Sequence, residues 1–188
     1  MLRCFRRFLA IFPLGGAALA ACLGMALIAQ PSGVHADTPR LSYNSSLNKA
    51  DLVLIRKGER RLELWHGQEL LRHYRVALGR NPDGPKQRQG DGRTPEGQYI
   101  IDWRNPDSDF HLSLHISYPA VSDIARAREA GHSPGELIMI HGLPNGFSAR
   151  YVEHPQRDWT EGCIAVTNAE IEEIWRMVDD GTTIVILP

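Results

Sequence analysis

The sequence predicts a mostly β domain with one or two short covering helices. Short apolar segments of strand length recur along the chain, separated by loops rich in Gly and Pro, as in all-β domains. Only two segments carry helix signals. The chain is 43% hydrophobic and 23% charged, which is typical of an ordinary globular domain.

The first predicted strands cover residues 51–55 and 61–65 and flank Lys57-Gly58-Glu59, which is a hairpin signal. Residues 79–97 form a long loop with many Gly and Pro residues. The segment 137–140 is apolar throughout, so it predicts a central strand. The other predicted strands are residues 70–78, 98–103, 112–118 and 182–187.

The first predicted helix covers residues 122–130, with Ser122 as its capping residue and Gly131 as its stop. The second follows a capping box, in which Thr167 is the N-cap and Glu170 is the third helical residue. A stripe of apolar residues at helical spacing predicts its buried face: Ile171, Ile174, Trp175 and Val178. Core positions are also expected for Trp65 and Trp103.

The first 36 residues predict a secretory signal, with a basic start, an apolar run to Ala29 and a small-residue cleavage site at Ala36. Two alternatives stay open: lipid attachment at Cys22, and an uncleaved anchor, since the apolar run is about long enough to span a bilayer. All three predict export to the periplasm or cell envelope, with membrane attachment only through a lipidated or uncleaved N-terminus. Residues 37–50 predict a polar linker, and residues 51–188 one catalytic domain.

The charge pattern gives no sign of a nucleic-acid partner. The formal net charge is -1, and no run of basic residues provides a local binding patch. Nucleic-acid binding is therefore not expected.

Cys163 is the only cysteine of the predicted mature domain, and it follows Gly162 where a loop becomes an apolar strand. An unpaired thiol in an oxidising compartment is a liability unless it is buried or used. His141 ends another predicted strand. A nearby imidazole gives a thiolate nucleophile both a base and a stabilising cation. The alternative is that Cys163 is a small buried apolar residue without chemistry.

A zinc site of Cys163, His141 and His154 is the metal alternative. The sequence lacks the paired spacing of zinc ligands, such as C-x-x-C or H-x-x-x-H. Neither a metal nor another cofactor is expected.

His141-Gly142, followed later by Thr160-Glu161-Gly162-Cys163, resembles the catalytic signature of the L,D-transpeptidase (YkuD-type) family. The resemblance also takes in the turn at residues 92–97 and the segment 112–119, and it extends over residues 51–188. It implies a flattened β-sandwich that holds a Cys–His site and acts on peptidoglycan stem peptides containing diaminopimelate.

In this resemblance Cys163 attacks a stem-peptide carbonyl, forms a thioester and expels D-alanine, and an amine from another stem peptide or a lipoprotein lysine resolves the thioester. His141 would be the base, oriented by the carbonyl of Gly142, and the N–H groups of Gly162 and Cys163 would hold the oxyanion. The substrate-cleft candidates are Thr160, Glu161, Arg93 and Asn145.

Two residues depart from the family pattern. Glu161 stands where many members carry His or Arg, and Ala165 stands where many carry Arg. An acid beside the nucleophile opposes thiolate formation unless it points away or pairs with Arg157. Two alternatives stay open: a hydrolase of the same fold that cleaves links between peptidoglycan and lipoprotein, and a non-catalytic peptidoglycan-binding module.

Overall fold

The computed structural model describes residues 49–188; the predicted signal and nearly all of the predicted linker lie outside the described residues. Within the described part, the chain forms eight strands and two helices, so the mostly β class with two short helices is confirmed. In chain order the elements are β1 (Ala50–Arg56), β2 (Arg61–His66), β3 (Glu69–Arg75), β4 (Gly97–Ser108), β5 (His111–Ile116), α1 (Val121–Glu129), β6 (Met139–His141), β7 (Ile164–Ala165), α2 (Asn168–Met177) and β8 (Val178–Leu187). Neither helix is long and apolar enough to cross a membrane.

The strands form one curled sheet in the order β3-β2-β1-β8-β4-β5-β6-β7. β4 belongs to both halves of this sheet, because its first residues pair with β8 and the remainder pairs with β5. Ala77, just after the edge strand β3, bridges to Ala165 in the opposite edge strand β7. The two edges of the sheet therefore meet beside β7, which carries the sequence around Cys163.

The apolar core lies within this curl and unites both halves of the sheet. Val53 and Ile184 come from one half, Leu114 and Ile140 from the other, and all four are fully buried. α2 contacts β5, β6 and β8 and adds three buried side chains, Ile171, Ile174 and Met177. Burial of aliphatic side chains at this density is the main source of stability for such a sheet.

The capping box of α2 is present as predicted: the hydroxyl of Thr167 accepts from the N–H of Glu170 at 3.3 Å, and the Glu170 carboxylate accepts from the N–H of Thr167 at 2.8 Å. The predicted end of the helix is wrong by one residue. Val178 adopts extended dihedral angles and begins β8, where it is fully buried, and Met177 is the last buried residue of the helix.

The cap predicted for the first helix at Ser122 is also wrong. α1 starts at Val121 after Ala120, whose N–H donates to the Asp123 carboxylate at 3.0 Å. A carboxylate at the third helical position satisfies the free N–H ahead of the helix, so Ser122 has no capping role.

Some strand boundaries and one core position also differ from expectation. β3 ends at Arg75, and the rest of segment 70–78 makes only isolated bridges. β6 begins at Met139 because Leu137 has a left-handed φ of 59° that breaks the pleat. Trp103, expected in the core, is 40% exposed and stacks on His115.

Candidate active site

Parallel pairing between β6 and β7 brings the two distant motifs together. In this register His141 lies beside Ala165, and the N–H of Val166 donates to the carbonyl of His141 at 2.9 Å. Cys163 comes two residues before Ala165, so it lies at the end of β7 next to β6. Pairing of these two short strands thus brings His141 and Cys163 to the same edge of the sheet.

The ring of His141 is held in one orientation. Its Nδ1 atom lies 2.7 Å from the carbonyl oxygen of Gly142. Because a carbonyl only accepts hydrogen bonds, Nδ1 carries the proton and Nε2 keeps a free lone pair. Phe110 and Trp159 pack on the ring, with centroids 4.5 Å and 5.6 Å away.

Burial lowers the pKa of His141 to about 4, and the charge of His154 acts in the same direction, while the hydrogen bond to Gly142 opposes the shift. The imidazole is therefore neutral at pH 7. A neutral ring with a free lone pair on Nε2 can accept a proton, which is what a general base requires.

Cys163 is half-buried, and its Sγ atom lies 3.6 Å from the carbonyl oxygen of Leu137. Burial raises the pKa of the Cys163 thiol, although a hydrogen bond from the backbone of Met139 and the charge of Lys86 both act to lower it. Thiol and imidazole are thus both neutral at pH 7. The stabilising imidazolium expected from the sequence is not present in this state.

Both groups line one cleft of about 480 Å³. Most of its surface is apolar, which weakens solvation of charge and strengthens the electrostatic effect of each remaining polar group. The other lining residues are Ser108, Phe110, Ser113, Leu137, Met139, Trp159, Thr160 and Glu161.

The turn before Cys163 is fixed by Thr160. Its buried hydroxyl donates to the carbonyl of Cys163 at 2.8 Å and accepts from the N–H of Gly162 at 3.1 Å. The Gly162 N–H is therefore engaged within this turn, and the N–H of Cys163 makes no hydrogen bond to the described residues. Their role as oxyanion donors stays a prediction. A side chain at Gly162 would place Cβ 2.6 Å from the carbonyl oxygen of Arg93.

Glu161 forms an exposed ion pair with Arg80. The expected partner Arg157 lies instead within 3.9 Å of Glu153. The arginine that neutralises Glu161 thus comes from the loop after β3, on the other side of the turn. This long-range partner could not be found from sequence spacing.

Two of the four substrate-cleft candidates do not line the cleft. The backbone of Arg93 packs against Gly162, and Arg93 lines a neighbouring pocket instead of the cleft. Asn145 instead clamps the turn between β4 and β5: its amide donates to the carbonyl of Ser108 at 2.9 Å and accepts from the N–H of His111 at 3.0 Å. Thr160 and Glu161 do line the cleft.

Sequence reasoning missed the aromatic wall of the cleft. Trp159 directly precedes Thr160, so its position next to the Thr-Glu-Gly-Cys motif could have indicated that it lines the cleft. No motif marks Phe110, which reaches the cleft through the turn between β4 and β5. The indole N–H of Trp159 and the Nδ1 atom of His154 are buried without a hydrogen-bond partner among the described residues. No group of three His, Cys, Asp or Glu side chains within residues 49–188 is arranged to hold a metal ion.

The curled sheet and the Cys–His cleft at its closing edge define the class of the protein. The family model for the YkuD L,D-transpeptidase catalytic domain matches residues 50–186. The chain therefore belongs to the L,D-transpeptidase catalytic-domain family.

Among curated proteins, the chain is similar to "Putative L,D-transpeptidase YafK" of Escherichia coli (strain K12). The two are 34% identical over 133 residues, which cover 67% of this chain and 46% of YafK. The chain thus spans about half the length of the curated relatives it matches.

Two solved structures share the fold. The helical cell shape determining protein Pgp2 from Campylobacter jejuni gives a TM-score of 0.54 at 23% identity, covering 72% of this chain and 46% of Pgp2. Bd1075 from Bdellovibrio bacteriovorus gives a TM-score of 0.51 at 23% identity, covering 75% of this chain and 51% of Bd1075. At this level of identity the two structures support the fold alone.

Proposed function

We propose that this protein is an exported cysteine L,D-transpeptidase that acts on peptidoglycan stem peptides through a thioester at Cys163. One observation carries the proposal: Cys163 and His141 line the same apolar cleft, with the Nδ1 atom of His141 tied to Gly142. This arrangement leaves Nε2 as a proton acceptor in the same cleft as the only thiol of the described chain.

The acylation step starts from the neutral pair. Sγ of Cys163 bonds to the carbonyl carbon of the stem peptide as the thiol proton moves to Nε2 of His141. The carbonyl π electrons move to oxygen, and the N–H of Cys163 donates to that oxyanion. The C–N bond then breaks, and His141 returns the proton to the departing amine of D-alanine.

Deacylation uses the same groups in reverse. An acceptor amine attacks the thioester carbon and passes its proton to Nε2 of His141. The C–S bond breaks, and the thiolate takes the proton back from the imidazolium. The acceptor is the side-chain amine of a second diaminopimelate or a lipoprotein lysine, and both reach the cleft as uncharged amines after losing a proton.

Family membership supports peptidoglycan as the substrate, since L,D-transpeptidases act on its stem peptides. This substrate is outside the inner membrane, so the proposed function requires export, in agreement with the signal-like first 36 residues. N-terminal sequencing of the mature protein tests export: cleavage after Ala36 makes Asp37 the first residue.

The function is tested by incubating the purified protein with muropeptides carrying diaminopimelyl-D-alanine and analysing products by mass spectrometry. We expect release of D-alanine, a thioester adduct on Cys163 and a cross-linked product. Cys163→Ala should lose all three yet keep its circular dichroism spectrum, because the removed group is small and half-buried. Residual turnover of a tenth or more in this variant would disprove the nucleophile.

The same assay separates transfer from hydrolysis. With a stem peptide as amine acceptor at increasing concentration, a transpeptidase gives a rising share of amide product. A hydrolase gives the free acid at every acceptor concentration. An unreactive Cys163 and no product in either arm would favour the non-catalytic binding module.

A further inference from the structure

A second cavity, of about 560 Å³, lies beside the catalytic cleft and is formed by the loop between β3 and β4. Its walls are mainly polar and carry three guanidinium groups, those of Arg80, Arg88 and Arg93. We call it the arginine pocket. The remaining lining residues are Asn81, Pro82, Asp83, Gln87, Gly90 and Asp91.

The loop that forms the arginine pocket is built around one carboxylate. Asp91 accepts from Nζ of Lys86 at 2.8 Å and from the backbone N–H groups of Gln87 at 2.8 Å, Arg88 at 3.1 Å and Arg93 at 3.1 Å. The side chains of Lys86 and Asp91 are 4% and 9% exposed. These hydrogen bonds hold the backbone of the loop in place before a ligand arrives.

The charges in the arginine pocket do not cancel. The Asp91 carboxylate is neutralised by Lys86, and Glu161 neutralises Arg80.

Arg93 makes only a long hydrogen bond of 3.4 Å to the carbonyl of Pro85, and the side chain of Arg88 has no partner within residues 49–188. Against Arg88 and Arg93 stands only Asp83, so the pocket keeps a net positive charge.

The loop that carries the arginine pocket packs against the turn before Cys163. A Cβ on Gly79 would lie 2.2 Å from the carbonyl oxygen of Gly92 and 3.0 Å from Cα of Gly162. The backbone of the loop and the backbone of the turn before Cys163 therefore meet at these glycines with no side chain between them. The charge of Lys86, beneath the pocket, also reaches the thiol of Cys163.

We propose that the arginine pocket binds the carboxylates of the peptide substrate while the amide to be cleaved lies in the apolar cleft beside it. The proposal rests on the proposed function, because it assigns the acidic part of the same substrate to a second site. Diaminopimelate and D-alanine both carry carboxylates within one residue of the reacting amide, and the glycine contact places the pocket next to Cys163.

The chemistry of the pocket fits a carboxylate. A guanidinium group presents planar paired donors that match the two oxygens of a carboxylate, and it stays charged at every pH in which a protein folds. Since Arg88 and Arg93 are free of acidic partners, a carboxylate ligand does not have to displace an existing ion pair. Division of the site into a charged pocket and an apolar cleft would favour acidic peptides over neutral ones.

The test measures binding in the Cys163→Ala background, so no turnover is needed. Two peptide probes are used, one ending in diaminopimelyl-D-alanine and the same peptide with its carboxylates amidated. We expect Arg88→Gln and Arg93→Gln each to weaken binding of the acidic peptide by about tenfold, the usual scale for losing a charged hydrogen-bond partner. The matched control Arg128→Gln removes an exposed arginine from α1 and should leave the Kd within twofold.

The amidated peptide should bind weakly and show no dependence on Arg88 or Arg93. Unchanged binding of the acidic peptide to both pocket variants would overturn the proposal. Displacement of the acidic peptide by equimolar inorganic phosphate would also overturn it, because it would show a general anion site. Since binding is read without catalysis, a failed transpeptidase assay and a failed pocket give different results.

Discussion

The Cys–His cleft and the arginine pocket lie on neighbouring parts of the molecule and differ in almost every physical property. The cleft is apolar, and its two reactive groups, Cys163 and His141, are both neutral at pH 7. The arginine pocket is polar and charged, and its loop is held by hydrogen bonds to Asp91. The backbones of Gly79, Gly92 and Gly162 pack closely where the loop of the arginine pocket meets the turn before Cys163.

This difference indicates a division of tasks. The apolar cleft keeps the thiol and the imidazole neutral in the resting state, because burial opposes the charged form of each group. Recognition of a charged ligand benefits from guanidinium groups without acidic partners that stand on a supported loop. Under the proposed function, one substrate occupies both environments across the close contact of the two backbones.

The largest effect is expected from the base in the cleft. His141→Gln removes the proton acceptor and should lower the rate of thioester formation by about 10²-fold or more. Acylation followed by intact-protein mass spectrometry measures the rate. His132→Gln, which changes an exposed histidine after α1, is the control and should behave as wild type. A loss of less than tenfold in His141→Gln would mean that another group takes the proton.

The next effect concerns the boundary between the two regions. Gly79→Ala puts Cβ 2.2 Å from the carbonyl oxygen of Gly92, so the backbones must separate, and we expect a loss of about 3 kcal/mol in unfolding free energy. Urea unfolding measures it. Gly58→Ala, whose Cβ has its nearest neighbour at 3.7 Å, should cost less than about 1 kcal/mol. Equal costs would show that the contact carries no strain.

Acidic pH should lower the stability of the protein through His141 in the cleft, whereas the arginines of the pocket keep their charge. Burial lowers the pKa of His141 to about 4, and it also lowers the pKa of His154. Between pH 6.5 and 4 the unfolded chain binds a proton at position 141 that the folded protein does not, so stability is complete above this range and falls as the pH drops. The contribution of His141 reaches about 3 kcal/mol.

Urea unfolding at pH 7 and at pH 4.5 measures this loss of stability. His141→Gln should show a smaller loss between the two pH values than wild type, because the group that gains the proton on unfolding is gone. An identical loss in both proteins would mean that His141 titrates normally in the folded state.

The smallest effect is expected at the exposed ion pair between the two regions. The side chains of Arg80 and Glu161 are 57% and 66% exposed, so the pair contributes less than about 1 kcal/mol. Glu161→Gln should change the alkylation rate of Cys163 by less than about threefold, as measured with iodoacetamide at pH 8. A larger increase would show that the carboxylate acts on the thiol.

Local signals in the sequence were sufficient where neighbours in the chain decide the structure. The capping box of Thr167 and Glu170 and the hairpin at Lys57 depend on contacts within a few residues, and both are present. The choice of Arg80 as partner of Glu161 depends on the bridge between the chain after β3 and the turn before β7. Such a contact is set by the closing of the sheet and leaves no local pattern.

The residues of the candidate site likewise fall into those that a local motif predicts and those that only the fold brings together. Cys163 and His141 stand in a recognisable motif, and they line one cleft. Phe110 was missed because the turn between β4 and β5 carries it across the sheet to the ring of His141. The neutral state of both reactive groups was also missed, since burial is a property of the folded chain and cannot be read from residue spacing.

The position of β8 has a consequence for how the protein folds. This strand lies in the middle of the sheet, parallel to β1 on one side and antiparallel to β4 on the other. Until residues 178–187 are in place, β1 and β4 lack their shared neighbour. Because β1 and β8 are far apart in the sequence, the two halves of the sheet join only through long-range pairing, which slows folding.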